Sequence, residues 1–181
     1  MPKRESNTIT LGSGEFYVAE FGETMPTVEQ LCVSNNLLGH TKGGAALTYT
    51  GELYEETDDL GRVQKTIITK EEVILKGGIL TWNGETLGKL VDRCKITASG
   101  GRRTVKLGGA GNAQGKVYAI CFFHEDKADG NLWILLKGSN KAGITLTFAT
   151  TGGTTVDPEF KAMPQDEDGT LVQLIEETGE K

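Results

Sequence analysis

Apolar and polar positions along this chain alternate singly far more often than they fall into helical stripes. In KGGAALTYTGELY (42–54), Ala45, Leu47, Tyr49 and Leu53 share one face while Thr48, Thr50 and Glu52 take the other. That period of two is the signature of a strand with one covered side. RVQKTIIT (62–69) continues in the same style, and the acidic EETDDLG (55–61) between them closes a long hairpin. The same reasoning predicts strands at EFYVAEF (15–21), VILKGGILTW (73–82), RRTVKL (102–107), KVYAICFFHE (116–125), LWILLKG (132–138), GITLTFA (143–149) and TLVQLIEE (170–177). Gly77 and Gly78 fall inside one of these, where paired glycines mark a bulge or bend.

Two segments change period. NGETLGKLVDRC places Leu87, Leu90, Val91 and Cys94 at i, i+3, i+4 and i+7, one stripe of an amphipathic helix over about residues 84–94. Asn83 is suited to cap it and Glu85 to sit in its first turn. Gly88 costs up to ~1 kcal/mol relative to Ala, so packing must hold this helix. PTVEQLC offers Thr27 and Gln30 as a capping box for a second, short helix. The expected architecture is one mainly-β domain over residues 1–181, a β-sandwich or barrel-like fold with one flanking α-helix and a long extended hairpin.

Composition sharpens this picture at a few points. Twenty-five glycines against four prolines supply many positive-φ turn positions, as short strands joined by tight turns require. No run approaches the ~20 apolar residues of a membrane span. The start, MPKRESNTIT, lacks the apolar stretch of a signal peptide, so folding in the cytoplasm of the producing cell is expected. Three cysteines, Cys32, Cys94 and Cys121, are an odd number set far apart without a C-x-x-C; reduced and buried is the expectation. A net charge of −6 argues against a dedicated DNA binder.

Catalytic patterns are scarce. GGAGNAQGKVYAI (108–120) has the glycines of a phosphate loop, but a P-loop needs Gly where Ala110 stands and Ser or Thr where Val117 stands. Its flanks are strand-like, whereas a phosphate loop opens a helix. No serine lies in a G-x-S-x-G elbow, and DKADGN (126–131) departs from a calcium loop at Ala128 and Lys137. His40 and His124 sit on or beside strands with no obvious nucleophile. The expectation is no enzyme, no metal and no cofactor.

Charge is distributed more tellingly. Lys89, Arg93, Lys95, Arg102, Arg103 and Lys106 face a single Asp92 in the same stretch. Against them stand two acidic regions, the hairpin tip with Glu55, Glu56, Asp58 and Asp59, and the tail region with Asp166, Glu167 and Asp168. Self-complementary charge on a strand-rich domain points to head-to-tail assembly, which closes into rings. Two other readings remain open: a standalone β-sandwich module binding a carbohydrate or peptide, and a single-stranded nucleic-acid binder using 89–106. Few aromatics interleave with the basic residues, which a single-strand surface would want.

The order KGGAALTY, then YEETDDLGRVQK, then ILTWNGETLGKL, then RTVKLGG…GKVYAICFFHED, GITLTFA and FKAMPQDEDGTLV resembles the tail tube (major tail) proteins of long-tailed bacteriophages. The resemblance runs from about Gly39 to the C-terminus. It implies a virion protein made in the host bacterial cytoplasm, whose hexameric rings stack into a tail tube around a tape-measure protein and later pass DNA. Its partners would be its own copies, the tape-measure protein and tail-completion proteins, with no membrane. It also implies that the hairpin carrying Tyr54, Glu55, Glu56, Thr57, Asp58, Asp59, Leu60, Gly61 and Arg62 reaches a neighbouring subunit. The N- and C-terminal segments are expected in inter-subunit contacts. Residues 108–115, with Gly108, Gly109, Gly111, Asn112 and Gly115, form a long connection expected where stacked rings meet.

Overall fold

The computed structural model describes residues 4, 5 and 7–179; the extreme ends of the expected 1–181 domain lie outside the described residues. Nine strands are present among these: β1 (Glu15–Glu20), β2 (Leu37–Thr57), β3 (Gln64–Ile79), β4 (Cys94–Ser99), β5 (Arg102–Leu107), β6 (Tyr118–His124), β7 (Leu132–Asn140), β8 (Glu159–Met163) and β9 (Val172–Glu176). Two α-helices accompany them, α1 (Val28–Leu31) and α2 (Gly84–Leu90). Every ladder is antiparallel. The order β6-β1-β2-β3-β8-β7 closes on itself because β6 also pairs with β7. The mainly-β fold expected from the alternation is thus a six-stranded barrel, with β9 sharing the outer edge of β7 with β8.

Side chains fill the barrel. Phe16 lies against Phe122 and Phe160, ring centroids 5.1 and 5.8 Å apart, and Leu75, Ile79, Ile120, Leu136 and Val156 complete a core with essentially no exposure. Along β6 the even residues Tyr118, Ile120 and Phe122 join this core, while Ala119 and Cys121 join a second cluster with Leu31 and Leu135 outside the wall. Covering both faces explains why 118–124 reads as a continuous apolar run rather than an alternation. Helix α1 supplies the outer cover, and its capping box forms as expected: Gln30 N–H donates to Thr27 Oγ1 while Thr27 N–H donates to the Gln30 side chain.

Three expectations change. Helix α2 ends at Leu90, four residues before the expected end of 84–94, with Val91 already extended as its C-cap. Cys94 stays on the buried side, but as the first residue of β4, because β4 pairs with β5 around a Gly100-Gly101 turn at φ +58° and +72°. The segment 143–149 is not a strand. Ile144 and Leu146 nevertheless rest on the core, so the apolar positions of the pattern find cover without a ladder. Finally, the separate strands expected at 62–69 and 73–82 are one strand, β3, which ends at Ile79.

Strands β2 and β3 therefore do two jobs. Their barrel ends are staves; their far ends form an arm. A break in register between Thr41 and Ala45 faces Gly77 and Gly78, where the paired glycines predicted a bulge. The reason is space: a Cβ on Gly77 would lie 2.3 Å from the Phe16 ring, and one on Gly78 would lie 2.6 Å from the Lys42 carbonyl oxygen.

Candidate assembly surfaces

Beyond the Tyr49–Val73 pair the β2–β3 hairpin leaves the barrel, and every residue from Thr48 through Glu71 is exposed. Eight residues per strand project the arm roughly 25–30 Å at the usual rise per residue. Its register pairs Leu53 with Ile68 on one face and Tyr54 with Ile67 on the other. Leu53 and Ile68 are 68% and 57% exposed, and Leu60 and Val63 near the tip are about 70% exposed. A two-stranded ribbon with apolar residues on both faces and nothing packed on either is marginal in isolation, and as an exposed edge it invites pairing.

The acidic tip is ordered by one of its own carboxylates. Asp58 accepts hydrogen bonds from the N–H groups of Arg62 and Val63, the latter at 2.7 Å, and Gly61 at φ +65° completes the turn. Those backbone bonds, led by Val63, hold the Asp58 carboxyl below the usual range. The Tyr54 hydroxyl donates to Glu56, which raises the phenol's pKa. Glu55 and Asp59, with Thr57 and Leu60, are left facing solvent.

The basic stretch does not form one surface. Lys89 Nζ turns inward to donate to the Val18 carbonyl at 3.0 Å, and burial lowers its pKa. Arg103 lies on the α2 side of the β4–β5 hairpin and pairs with Glu85 at 2.5 Å. The Val105, Ile96 and Cys94 side chains share that side, reaching Gly84 and Gly88 of α2 closely enough to leave no room for a Cβ at either glycine. Lys95, Thr97, Ser99, Arg102, Thr104 and Lys106 take the opposite face, with Lys95 directly across from Lys106. Lys95, Arg102 and Lys106 make no ion pair within the described chain. Arg93 is exposed at the root of the hairpin, where its carbonyl accepts from Gly108 N–H at 2.8 Å.

The glycine-rich connection is tied down rather than free. Gly108, Gly109 and Gly115 take positive φ, and Asn112 Nδ2 donates to the Gly108 carbonyl at 2.7 Å. Gln114 Nε2 donates to the carbonyls of Gly88 and Val91 at 3.1 and 3.3 Å, satisfying the end of α2. Gly115 N–H donates to Asp92 at 2.8 Å. Gly111 and Gly115 remain exposed and Asn112 half-buried. Gln114 and Asp92 had no sequence signal as anchors, because capping a helix from a distant loop leaves no local pattern.

Further features were silent in the sequence. The strand β4 (CKITAS), and so the basic hairpin, is hidden because Cys94 also completes the helical stripe of Leu87, Leu90 and Val91. The thiols of Cys32 and Cys121, 89 positions apart, lie 3.5 Å from each other. His124 is buried with Nδ1 2.7 Å from the Ser13 carbonyl, and His40 pairs with Glu15 at 3.0 Å. The largest aromatic group near a surface cleft, Trp82, donates its indole N–H to the Thr154 carbonyl. No protein-family model matches the chain, and no curated protein is significantly similar to it.

Proposed function

We propose that this chain is a repeating structural subunit that assembles with its own copies into stacked rings, in the manner of the phage tail tube proteins its segment order resembles. In that role the rings are hexameric, the tube surrounds a tape-measure protein, tail-completion proteins close its ends, and DNA passes through without specific contacts. The protein then belongs to the virion tail.

One observation carries the reading: a long arm, continuous with the barrel, that exposes Leu53, Tyr54, Ile67 and Ile68 on both faces. Such an arm is marginal until another surface covers it. The second support is charge. The arm ends in free acids at Glu55 and Asp59, while Lys95, Arg102 and Lys106 present a cationic face without acidic partners. Exposed ion pairs contribute only ~0–1 kcal/mol each, so they set register while apolar burial supplies affinity.

The test is negative-stain microscopy with light scattering on the purified chain at rising concentration. Rings or open-centred tubes are expected. A chain that stays monomeric at every concentration, with and without a nucleating tail component, overturns the reading.

A further inference from the structure

Cys32 ends α1, where its N–H donates to the Val28 carbonyl at 2.8 Å. Cys121 sits in β6 between Tyr17 of β1 and Leu135 of β7, on the outer face of the barrel wall. The two sulfurs touch at 3.5 Å, Cys32 half-buried and Cys121 buried. Cys94 is buried elsewhere, against α2, with no sulfur beside it. An accessible thiol in contact with a shielded one is the arrangement that converts a two-electron oxidation into a disulfide.

We propose that Cys32 and Cys121 form an oxidisable dithiol site that takes hydrogen peroxide as its oxidant and closes to a disulfide pinning α1 to the barrel wall. Cys32 is the attacking sulfur because it alone of the pair reaches solvent. Its thiolate attacks the terminal peroxide oxygen, the O–O bond breaks, and the departing hydroxide takes a proton to leave as water. Cys32 is then a sulfenic acid. Cys121, giving up its proton, attacks the Cys32 sulfur; the S–S bond forms, the S–O bond breaks and a second water leaves. Two thiols are oxidised by two electrons and one hydrogen peroxide is reduced to two waters.

The electrostatics agree with that division. Contact with the Cys32 sulfur, and then burial, push the Cys121 thiol up, whereas the same contact lowers Cys32. Burial, Glu29 and Glu15 oppose the Cys32 thiolate without reversing that direction. Sulfurs 3.5 Å apart must close to about 2.05 Å. That movement falls on Cys32, the residue that caps the end of the four-residue helix α1. The bond would close a loop holding the arm, α2 and the β4–β5 hairpin.

The site does not depend on the assembly reading. The native full chain is treated with hydrogen peroxide and then examined by intact mass, thiol titration, peptide mapping and thermal melting. The expected result is a loss of two hydrogens, a fall from three titratable thiols to one, and a peptide linking Cys32 to Cys121. The melting temperature should rise by about 5–15 °C, as closing a long loop implies, and thiol reductant should reverse it. Cys94→Ala should retain all of this, and Cys32→Ser should lose it while melting like the reduced wild type. Oxygen addition at Cys32 without a link, a disulfide between chains, or a link to Cys94 overturns the proposal. So does retention of all three thiols.

Discussion

Lys95 stands directly opposite Lys106 across the β4–β5 ladder, on the face turned away from α2. Like charges so placed oppose the hairpin that carries them. Lys95→Glu should therefore stabilise the isolated subunit by about 0.2–1 kcal/mol, read as a higher melting temperature. Reversing the whole face, with Arg102→Glu and Lys106→Glu added, should abolish tubes in electron microscopy. Reversing the arm as well, with Glu55→Lys and Asp59→Lys, should restore them. Asp58 must be spared in this exchange, since its carboxylate builds the turn.

The arm's apolar pair separates folding from assembly. Leu53→Thr with Ile68→Thr removes exposed apolar surface that touches no buried residue, so subunit stability should stay within about 0.5 kcal/mol. Assembly should be lost or shifted to much higher concentration in light scattering. A large fall in melting temperature would show that the arm is part of the core after all.

Gln114→Ala should destabilise the protein by about 1–2 kcal/mol, because two carbonyls at the end of α2 lose their donor. Hydrogen exchange should report it locally, as faster exchange over α2 and residues 108–115 with the β6 amides unchanged.

Acid should weaken the joint between β3 and β8. Lys161, hydrogen-bonded to Glu72 at 2.8 Å with Lys141 nearby, holds the Glu72 carboxyl below its ordinary value. A depressed folded-state value stabilises the protein above the unfolded carboxylate range, about pH 4.3, and the benefit disappears as pH falls through the folded value. Glu72→Gln should thus lie below wild type in melting temperature at neutral pH, and the two curves should converge as the pH drops under about 4.

Most of the barrel was legible because its staves alternate against a filled interior, and both helix starts were legible because Thr27 and Asn83 cap them with their own side chains. The end of α2 was not, since what stops it is the demand of Cys94 for a partner in Leu107, a contact across the chain. Residues 143–149 spell a strand yet form no ladder, because pattern declares which side wants cover, and Ile144 and Leu146 find that cover on the core without pairing. The basic stretch looked like one patch because sequence order hides alternation. Arg103 and Lys106 point to opposite sides of the same ribbon, and Lys89 is turned inward.

The arm and the barrel share two uninterrupted strands, so no hinge loop separates them. A load placed on the tip at Asp59 is delivered along β3 as shear on the ladder that joins Leu75 to Phe160. The soft point on that path is the register break at Glu52–Leu53, opposite Lys70 and Ile68. The lever is thus able to flex within its own length, and whatever grips its end holds the barrel wall directly.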